Sequence, residues 1–228
     1  MIEAVLFDWN NTLVQFTWDD ELLAAGHRAA LAAIGSDAEP TMFTERYRAM
    51  LNDPASRERE YPELLRGLLG PLGEGDIDRF IDAEHDVWLP AHEPLAAAQA
   101  LLESLRTRGL KTALVANAWP DPPRLLRGDV ERLGFADLLD LQVWSPEVGV
   151  RKPDPAIFLH ALGQLDVDPA QAVFVGDRLD ADVQGASQVG MATVQALWFR
   201  ADETPGIEPD FMAFTPMDVL NAVRRLAG

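Results

Sequence analysis

Short apolar runs alternate with helix-forming segments along most of this 228-residue chain. Five runs rich in Val, Leu, Ala and Phe are each followed by turn-forming residues, which is typical of buried strands. These runs cover residues 2–7, 112–115, 139–143, 172–175 and 192–194. The helical patterns between them cover residues 95–108, 123–133, 155–165 and 181–189. Strands that alternate with helices predict an α/β fold, with a doubly wound parallel sheet covered on both faces.

Residues 15–93 interrupt this alternation with helical patterns alone and no convincing strand. The helix-like segments cover residues 19–34, 42–51, 61–69 and 76–88. Proline and glycine at 53–54 and 70–73 break the pattern between segments. We therefore predict a small helical domain over residues 15–93, inserted into a core formed by residues 1–14 and 94–228.

The composition limits the partners that this chain can have. Its 19 basic and 37 acidic residues give a net charge of -18, which repels nucleic acid and anionic membranes. It has no cysteine, no apolar stretch of about 20 residues and no basic signal-peptide start. The four histidines lack metal-ligand spacing, and we expect them on the surface or at helix caps: His27, His85, His92 and His160. These features predict a cytoplasmic protein, either a monomer or a homodimer.

Candidate site residues stand at or beyond the predicted carboxyl ends of the first four strands. They are Asp8, Asn10 and Thr12 after the first strand, Ala116 and Asn117 after the second, Arg151 and Lys152 in the loop beyond the third, and Asp177, Asp180 and Asp182 after the fourth. Ligands of doubly wound sheets bind beyond these ends, so we expect the residues to meet. Each residue alone is more typical of a turn or a cap, but their occurrence in order at four strand ends favours a chemical role.

The residue types suggest a phosphate chemistry. Asp8 and Asp177 could share a divalent cation, because hard oxygen ligands suit Mg²⁺. Lys152 and the cation would neutralise a phosphate in an otherwise acidic protein. Asp8 could then attack phosphorus and form an aspartyl phosphate, while backbone N–H groups of residues 9–11 cradle the phosphoryl oxygens.

Four stretches of the chain resemble the motifs of the haloacid dehalogenase superfamily. They are LFDWNNTL, LVANA, GVRKPDPAIF and VGDRLDADVQGASQVGM, and the likeness spans residues 2 to about 196. The resemblance implies a Rossmann-like core with a helical cap inserted after the first motif. It also implies magnesium-dependent phosphoryl transfer through Asp8, with a small phosphorylated metabolite as substrate.

The resemblance assigns roles to individual residues around the cation. Lys152 would steady the nucleophile and the phosphate. Asp177 would bind Mg²⁺ together with Asp8, and Asp182 would orient the water molecules of the metal. Asn10 would contribute its backbone carbonyl to the same cation.

Two of these positions depart from the family pattern. Asn10 stands where family phosphatases carry an aspartate that acts as general acid and base, a role worth about 10²–10⁴-fold in rate. Ala116 lacks the family's hydroxyl, whose hydrogen bond to a charged phosphoryl oxygen is worth roughly 1.5–3 kcal/mol. Thr12 and Asn117 occupy the remaining substrate-binding positions. Asn10 could be a deliberate change that traps a ligand, a natural variant with another proton source, or the mark of a binding protein without turnover.

Overall fold

The computed structural model describes residues 1–17, 19–53, 56 and 59–226. The strands are β1 (Ala4–Phe7), β2 (Val14–Phe16), β3 (His92–Pro94), β4 (Lys111–Ala116), β5 (Leu141–Trp144), β6 (Ala172–Gly176), β7 (Ala192–Ala196) and β8 (Phe211–Ala213). The α-helices are α1 (Asp20–Ala33), α2 (Pro40–Leu51), α3 (Tyr61–Leu69), α4 (Glu74–Trp88), α5 (Ala96–Thr107), α6 (Pro123–Arg132), α7 (Ser145–Val148), α8 (Pro155–Leu165), α9 (Gln184–Gln188) and α10 (Pro216–Leu226). None of the helices within these ranges is both long and apolar enough to cross a lipid bilayer.

The main sheet contains six parallel strands in the order β5-β4-β1-β6-β7-β8. Its central strands, β1 and β6, are buried along their whole length. A strand covered on both faces needs apolar side chains on both, which explains the continuous apolar runs in the sequence. The predicted α/β fold with a parallel sheet is confirmed.

The predicted secondary structure misses three short strands and the C-terminal helix. The prediction that residues 15–93 contain no strand is wrong at both ends, because β2 and β3 pair there as a two-stranded ribbon. The sequence patterns also predict neither β8 nor the helix α10 that follows it. Strands of three residues are too short to show an alternating pattern, so tertiary contacts decide their conformation.

The chain divides into two compact units. The sheet unit contains Met1–Phe16, Glu93–Ala118 and Arg127–Gly228, and the helical unit contains Thr17–His92 and Trp119–Leu126. The segment Trp119–Leu126 follows β4 in the sequence, but its first side chain packs within the helical unit. The indole of Trp119 stacks on Tyr47 with 6.4 Å between ring centroids, and it meets the ring edge of Tyr61 at 5.5 Å.

Three of the four histidines are buried: His27, His85 and His92. The prediction that they lie on the surface or at caps is wrong for His27 and His85, whereas His92 is the C-cap of a short helix, Leu89–Ala91. His160 is exposed, as predicted. The helical unit supplies polar partners for two of the buried rings. Nδ1 of His27 lies 2.8 Å from Oγ1 of Thr44, and Nδ1 of His85 lies 3.2 Å from a carboxylate oxygen of Asp121. Such partners offset the loss of water around a buried imidazole.

Candidate active site

Adjacent parallel strands bring the predicted site residues together within the sheet unit. Asp8 directly follows β1, and its N–H donates to the carbonyl of Val175 on β6 (2.9 Å). Asp177 directly follows β6, and Lys152 lies in the loop between α7 and α8. The chain leaves β1 on one side for β4 and β5, and later returns on the other side as β6. This reversal of strand order is where doubly wound sheets bind their ligands.

Three carboxylates converge at this point. Asp8, Asp177 and Asp182 each place one oxygen within 4.8 Å of the others. Asp177 and Asp182 are buried, whereas the Asp8 side chain keeps 14% of its surface exposed. A donor set made only of oxygen atoms fits a hard divalent cation such as Mg²⁺. The predicted backbone ligand, Asn10, lies two residues beyond Asp8 with an exposed side chain, and its metal contact stays a prediction.

Burial and mutual repulsion raise the free energy of the ionised carboxylates in this cluster. Burial raises the pKa of Asp177 to about 7, and the charges of Asp8 and Asp182 add to this effect. Burial also raises the pKa of Asp182 to about 6, although the ammonium of Lys152 opposes the shift. Additional positive charge at this point favours the ionised carboxylates. The site is therefore electrostatically suited to a cation.

Lys152 supplies one positive charge from inside the protein. Its Nζ donates to Oδ1 of Asp8 (2.6 Å) and to Oδ1 of Asp182 (2.7 Å). The ammonium also lies 5.1 Å from the centre of the Phe174 ring. Burial lowers the pKa of Lys152, but the two carboxylates outweigh it and raise that pKa above its usual value. Lys152 is therefore a permanent cation that bridges two of the three acids.

Asn117 holds the backbone of Lys152 in place. Its Nδ2 donates to the Lys152 carbonyl (3.0 Å), and its Oδ1 accepts from the Lys152 N–H (2.8 Å). The sequence predicts a substrate contact for Asn117, and that contact stays a prediction. The two hydrogen bonds instead give this amide a positioning role, because they fix where the Lys152 side chain starts.

Asp182 depends on a close approach of its side chain to the end of β6. It belongs to a π-helical turn, Leu179–Val183, of the kind that often occurs at functional sites. Its Oδ2 accepts from the N–H of Arg178 (3.0 Å). A Cβ added to Gly176 would lie 2.4 Å from Cγ of Asp182, so only glycine leaves room for this carboxylate.

The turn after β1 has a tightly bonded backbone. Asn11 adopts a left-handed conformation, with φ of 58°, and its N–H donates to the Val14 carbonyl (2.7 Å). The predicted phosphate cradle of residues 9–11 therefore has one of its N–H groups engaged within the protein. Thr12 is fully buried, and Ala116 is buried with a methyl group alone. The predicted substrate contacts of Thr12 and Ala116 stay predictions.

Arg200 is a site residue that the sequence patterns did not identify. It lies four residues beyond the carboxyl end of β7, and its Nε donates to Oδ2 of Asp177. Its side chain is 48% exposed, whereas the partner carboxylate is buried. Extending the strand-end rule from β6 to β7 would have pointed to this residue, although arginines in exposed loops are common. Three acids and two cations thus form one cluster at the sheet edge.

Comparison with known proteins gives consistent matches over nearly the whole chain. A family model described as haloacid dehalogenase-like hydrolase matches residues 2–190. The chain is 31% identical over 242 residues to a glyceraldehyde 3-phosphate phosphatase from Methanopyrus kandleri, which covers 100% of this chain and 99% of that protein. It is 34% identical over 208 residues to a ribulose-1,5-bisphosphate 5-phosphatase from Halopiger xanaduensis, covering 85% and 84% of the two chains.

A solved structure shows the same fold. The HAD phosphatase from Thermococcus onnurineus superposes with a TM-score of 0.72 and 23% sequence identity, and the match covers 97% of this chain and 98% of that one. At this level of identity the likeness is one of fold. The match includes both the parallel sheet and the helical segments between its strands, since it covers almost all of the chain.

Proposed function

Because the chain belongs to the haloacid dehalogenase-like hydrolase family, we propose that it hydrolyses a small phosphorylated metabolite with Mg²⁺, through an aspartyl phosphate on Asp8. Like its relatives, it is a phosphatase-type hydrolase. Two of those relatives are named for small phosphorylated sugars, glyceraldehyde 3-phosphate and ribulose 1,5-bisphosphate. Their names support a small phosphate ester as the substrate class.

The observation that carries this proposal is the pairing of Asp8 with Lys152 at 2.6 Å. The buried ammonium places a positive charge beside the Asp8 carboxylate, and Asp8 is the most exposed of the three acids. An oxygen of Asp8 attacks phosphorus while the bond from phosphorus to the ester oxygen breaks, and the leaving alkoxide takes up a proton. Water then attacks the phosphoryl group, gives up a proton and releases inorganic phosphate together with the free Asp8 carboxylate.

Mg²⁺, when bound, would offset negative charge on the phosphoryl group. The residues proposed to hold it are Asp8, Asp177 and Asp182, with the backbone carbonyl of Asn10. Lys152 adds a fixed positive charge beside the nucleophile, which stabilises the transition state without reorganisation. The N–H groups of residues 9 and 10 would complete the cradle for the phosphoryl oxygens.

Asn10 and Ala116 set the expected rate. An amide cannot accept or donate the catalytic proton, so the substrate or solvent must protonate the leaving oxygen. Ala116 has no hydroxyl for the phosphoryl group, and Thr12 and Asn117 remain as the proposed substrate-binding residues. Both departures favour slow turnover. They also support a second candidate function, a protein that binds phosphate and metal without hydrolysis.

The proposal includes the organisation of the chain. Residues 1–14 and 94–228 would form the catalytic core, and residues 15–93 would form a cap domain that selects the substrate. We propose a cytoplasmic monomer or homodimer, without nucleic acid or membrane partners. The net charge of -18 supports this choice, because it disfavours polyanionic partners.

Release of inorganic phosphate from a panel of small phosphate esters, with and without Mg²⁺, tests the activity. Asp8→Asn should reduce release to the background rate because the nucleophile is lost. Asp180→Asn is the matched control, since that carboxylate is bound by the Arg178 side chain (2.7 and 3.0 Å) and lies outside the acid cluster. Full activity of Asp8→Asn would overturn the proposal. Magnesium-dependent vanadate binding without phosphate release from any ester would favour the second candidate.

A further inference from the structure

The cations of the cluster are divided unequally among its acids. Lys152 contacts Asp8 and Asp182, and the cation that contacts Asp177 is Arg200. Asp177 is 2% exposed at its side chain, so its charge depends on a close partner rather than on solvent. In the protein without a divalent cation, Arg200 therefore offsets the negative charge of Asp177, as Lys152 offsets those of Asp8 and Asp182.

The two cations differ in how easily they could leave. Lys152 is 2% exposed and anchored by Asn117, whereas the Arg200 side chain is 48% exposed. A half-exposed arginine has a flexible stem and can rotate into solvent at low cost. Water can solvate the half-exposed guanidinium once another cation neutralises the buried Asp177, so Arg200 is the member of the cluster that a competitor could replace.

The loop around Arg200 is fixed on both sides, so such a movement needs only the side chain. Nε1 of Trp198 donates to the Thr12 carbonyl (3.0 Å) before it in the chain. After it, Oδ2 of Asp202 accepts from the N–H of Leu179 (2.8 Å). These bonds keep the backbone of residue 200 beside the cluster whether or not its guanidinium contacts Asp177.

We propose that Arg200 is a displaceable counter-cation, a positioning residue that holds Asp177 in the absence of metal and gives it up when a divalent cation binds. The inference rests on the proposed function, because it takes Asp177 as a metal ligand. Arg200 offsets the charge of the buried Asp177 between cation-binding events. It also weakens cation binding, since the ion must compete with the guanidinium for the same carboxylate.

Isothermal titration of the full chain with magnesium chloride tests this competition. Arg200→Gln should bind Mg²⁺ about tenfold more tightly than the wild type, which corresponds to about 1.4 kcal/mol. Arg200→Met, a second neutral replacement, should give the same direction. Arg127→Gln is the matched control: it removes the same charge from α6 of the sheet unit, but that side chain pairs with Glu147. Its affinity should change less than about twofold, because solvent screens exposed charges.

Thermal unfolding supplies an independent readout. Without Mg²⁺, Arg200→Gln should melt at a lower temperature than the wild type, and its melting temperature should rise more on adding Mg²⁺. If Asp177→Asn abolishes Mg²⁺ binding but both Arg200 variants bind Mg²⁺ with unchanged or weaker affinity, the inference about Arg200 is overturned. The proposed metal site then still stands. If the wild type and Asp177→Asn both fail to bind Mg²⁺, the proposed metal site fails and the inference falls with it.

Discussion

Asp182 in the sheet unit and Glu84 in the helical unit are equally buried, at 1% exposed each, but their partners differ in kind. Asp182 accepts from the ammonium of Lys152, a cation. Glu84 accepts from the hydroxyl of Tyr61 (3.0 and 2.7 Å) and lies 3.3 Å from Nε2 of His27. Burial raises the pKa of both carboxyl groups, to about 6 for Asp182 and well above the usual value for Glu84.

The protonation of the helical-unit cluster follows from its hydrogen bonds. The Thr44 hydroxyl donates to the Pro40 carbonyl (2.9 Å), so its oxygen accepts from Nδ1 of His27. Burial lowers the pKa of His27 to about 4, with the positive charge of Arg48 contributing, so the ring is neutral near pH 7. Its Nε2 then carries a lone pair towards Glu84. A protonated Glu84 satisfies that lone pair, whereas an ionised Glu84 would repel it.

The difference shows two ways to bury an acid. In the sheet unit the balancing charges are the cations Lys152 and Arg200, and one cation can be exchanged for another. In the helical unit the balancing charge is a proton, which turns the acid into a neutral hydrogen-bonding group between helices. Only the first arrangement keeps negative charge available for chemistry.

Removing the buried cation should have the largest effect. Lys152→Met leaves Asp8 and Asp182 without their shared partner, and breaking a buried ion pair costs about 3–5 kcal/mol. Urea denaturation at pH 7 should show a loss of about that size in the free energy of unfolding. Lys111→Met is the matched control, since Lys111 is exposed and donates to the Leu165 carbonyl, a bond worth about 1 kcal/mol. Similar losses in both variants would contradict the proposed charge balance.

Adding an acid to the charged cluster should change the rate. Asn10→Asp restores a titratable group two residues beyond Asp8, and phosphate release should rise by about 10²-fold. Asn10→Ala should show no gain, because it adds no proton carrier. If the aspartate variant is no faster on any ester of a broad panel, the missing acid does not limit turnover, and the lost hydroxyl at Ala116 becomes the stronger explanation.

Protonation of the buried Glu84 should make the stability of the folded protein depend on pH. Folded Glu84 keeps its proton up to its raised pKa, whereas the unfolded chain releases it above about 4.5. The folded state therefore binds more protons in that window, and wild-type stability falls as pH rises. Between about pH 4.5 and the raised pKa of Glu84, it should fall relative to Glu84→Gln by up to about 1.4 kcal/mol per pH unit. His27 titrates from an unfolded pKa of 6.5 to a folded pKa of about 4 in both proteins, so the difference between their curves removes its contribution.

Chemical denaturation of both proteins at several pH values measures this slope. Glu63→Gln on α3 is the control, because its carboxylate is 59% exposed and its difference from the wild type should not vary across the same window. Parallel stability curves for the wild type and Glu84→Gln would show that Glu84 is ionised in the folded protein.

The smallest effect belongs to an acid that has a cation but no burial. Asp180 and Arg178 pair at 2.7 Å with about half of each side chain exposed. Asp180→Asn should cost about 0.5 kcal/mol at low salt, and the difference should vanish in about 1 M NaCl. A loss above about 2 kcal/mol in the free energy of unfolding, unchanged by salt, would contradict this. It would mean that an ion pair needs no burial to contribute as much as the pairs of Lys152.

The charged cluster was largely predictable, because it follows from strand order. Asp8 and Asp177 end two runs that read as buried strands, and parallel strands place their ends at one sheet edge. Lys152 was found through its position beyond the third strand. Arg200 requires the same rule at the fifth predicted strand, and an arginine in the loop beyond it has no sequence pattern that marks it as a site residue.

The neutral cluster was not predictable in the same way. His27 and Glu84 stand on different helices, α1 and α4, and helical periodicity says which face is buried without saying what it meets. The histidine was therefore expected to be on the surface or at a cap. The same limit applies to Trp119, whose packing on Tyr47 depends on how a loop after β4 folds back.

Gly176 has a consequence for how sequence variation in this protein is interpreted. Any other residue there brings a Cβ to 2.4 Å from Cγ of Asp182, and the carboxylate must move away from Lys152. In a saturation mutagenesis screen, position 176 should therefore behave like an acid of the cluster, although glycine has no side chain to contact a ligand. Variants could lose Asp182 functionally while their sequence still contains it, so the presence of all three aspartates would not identify an active protein.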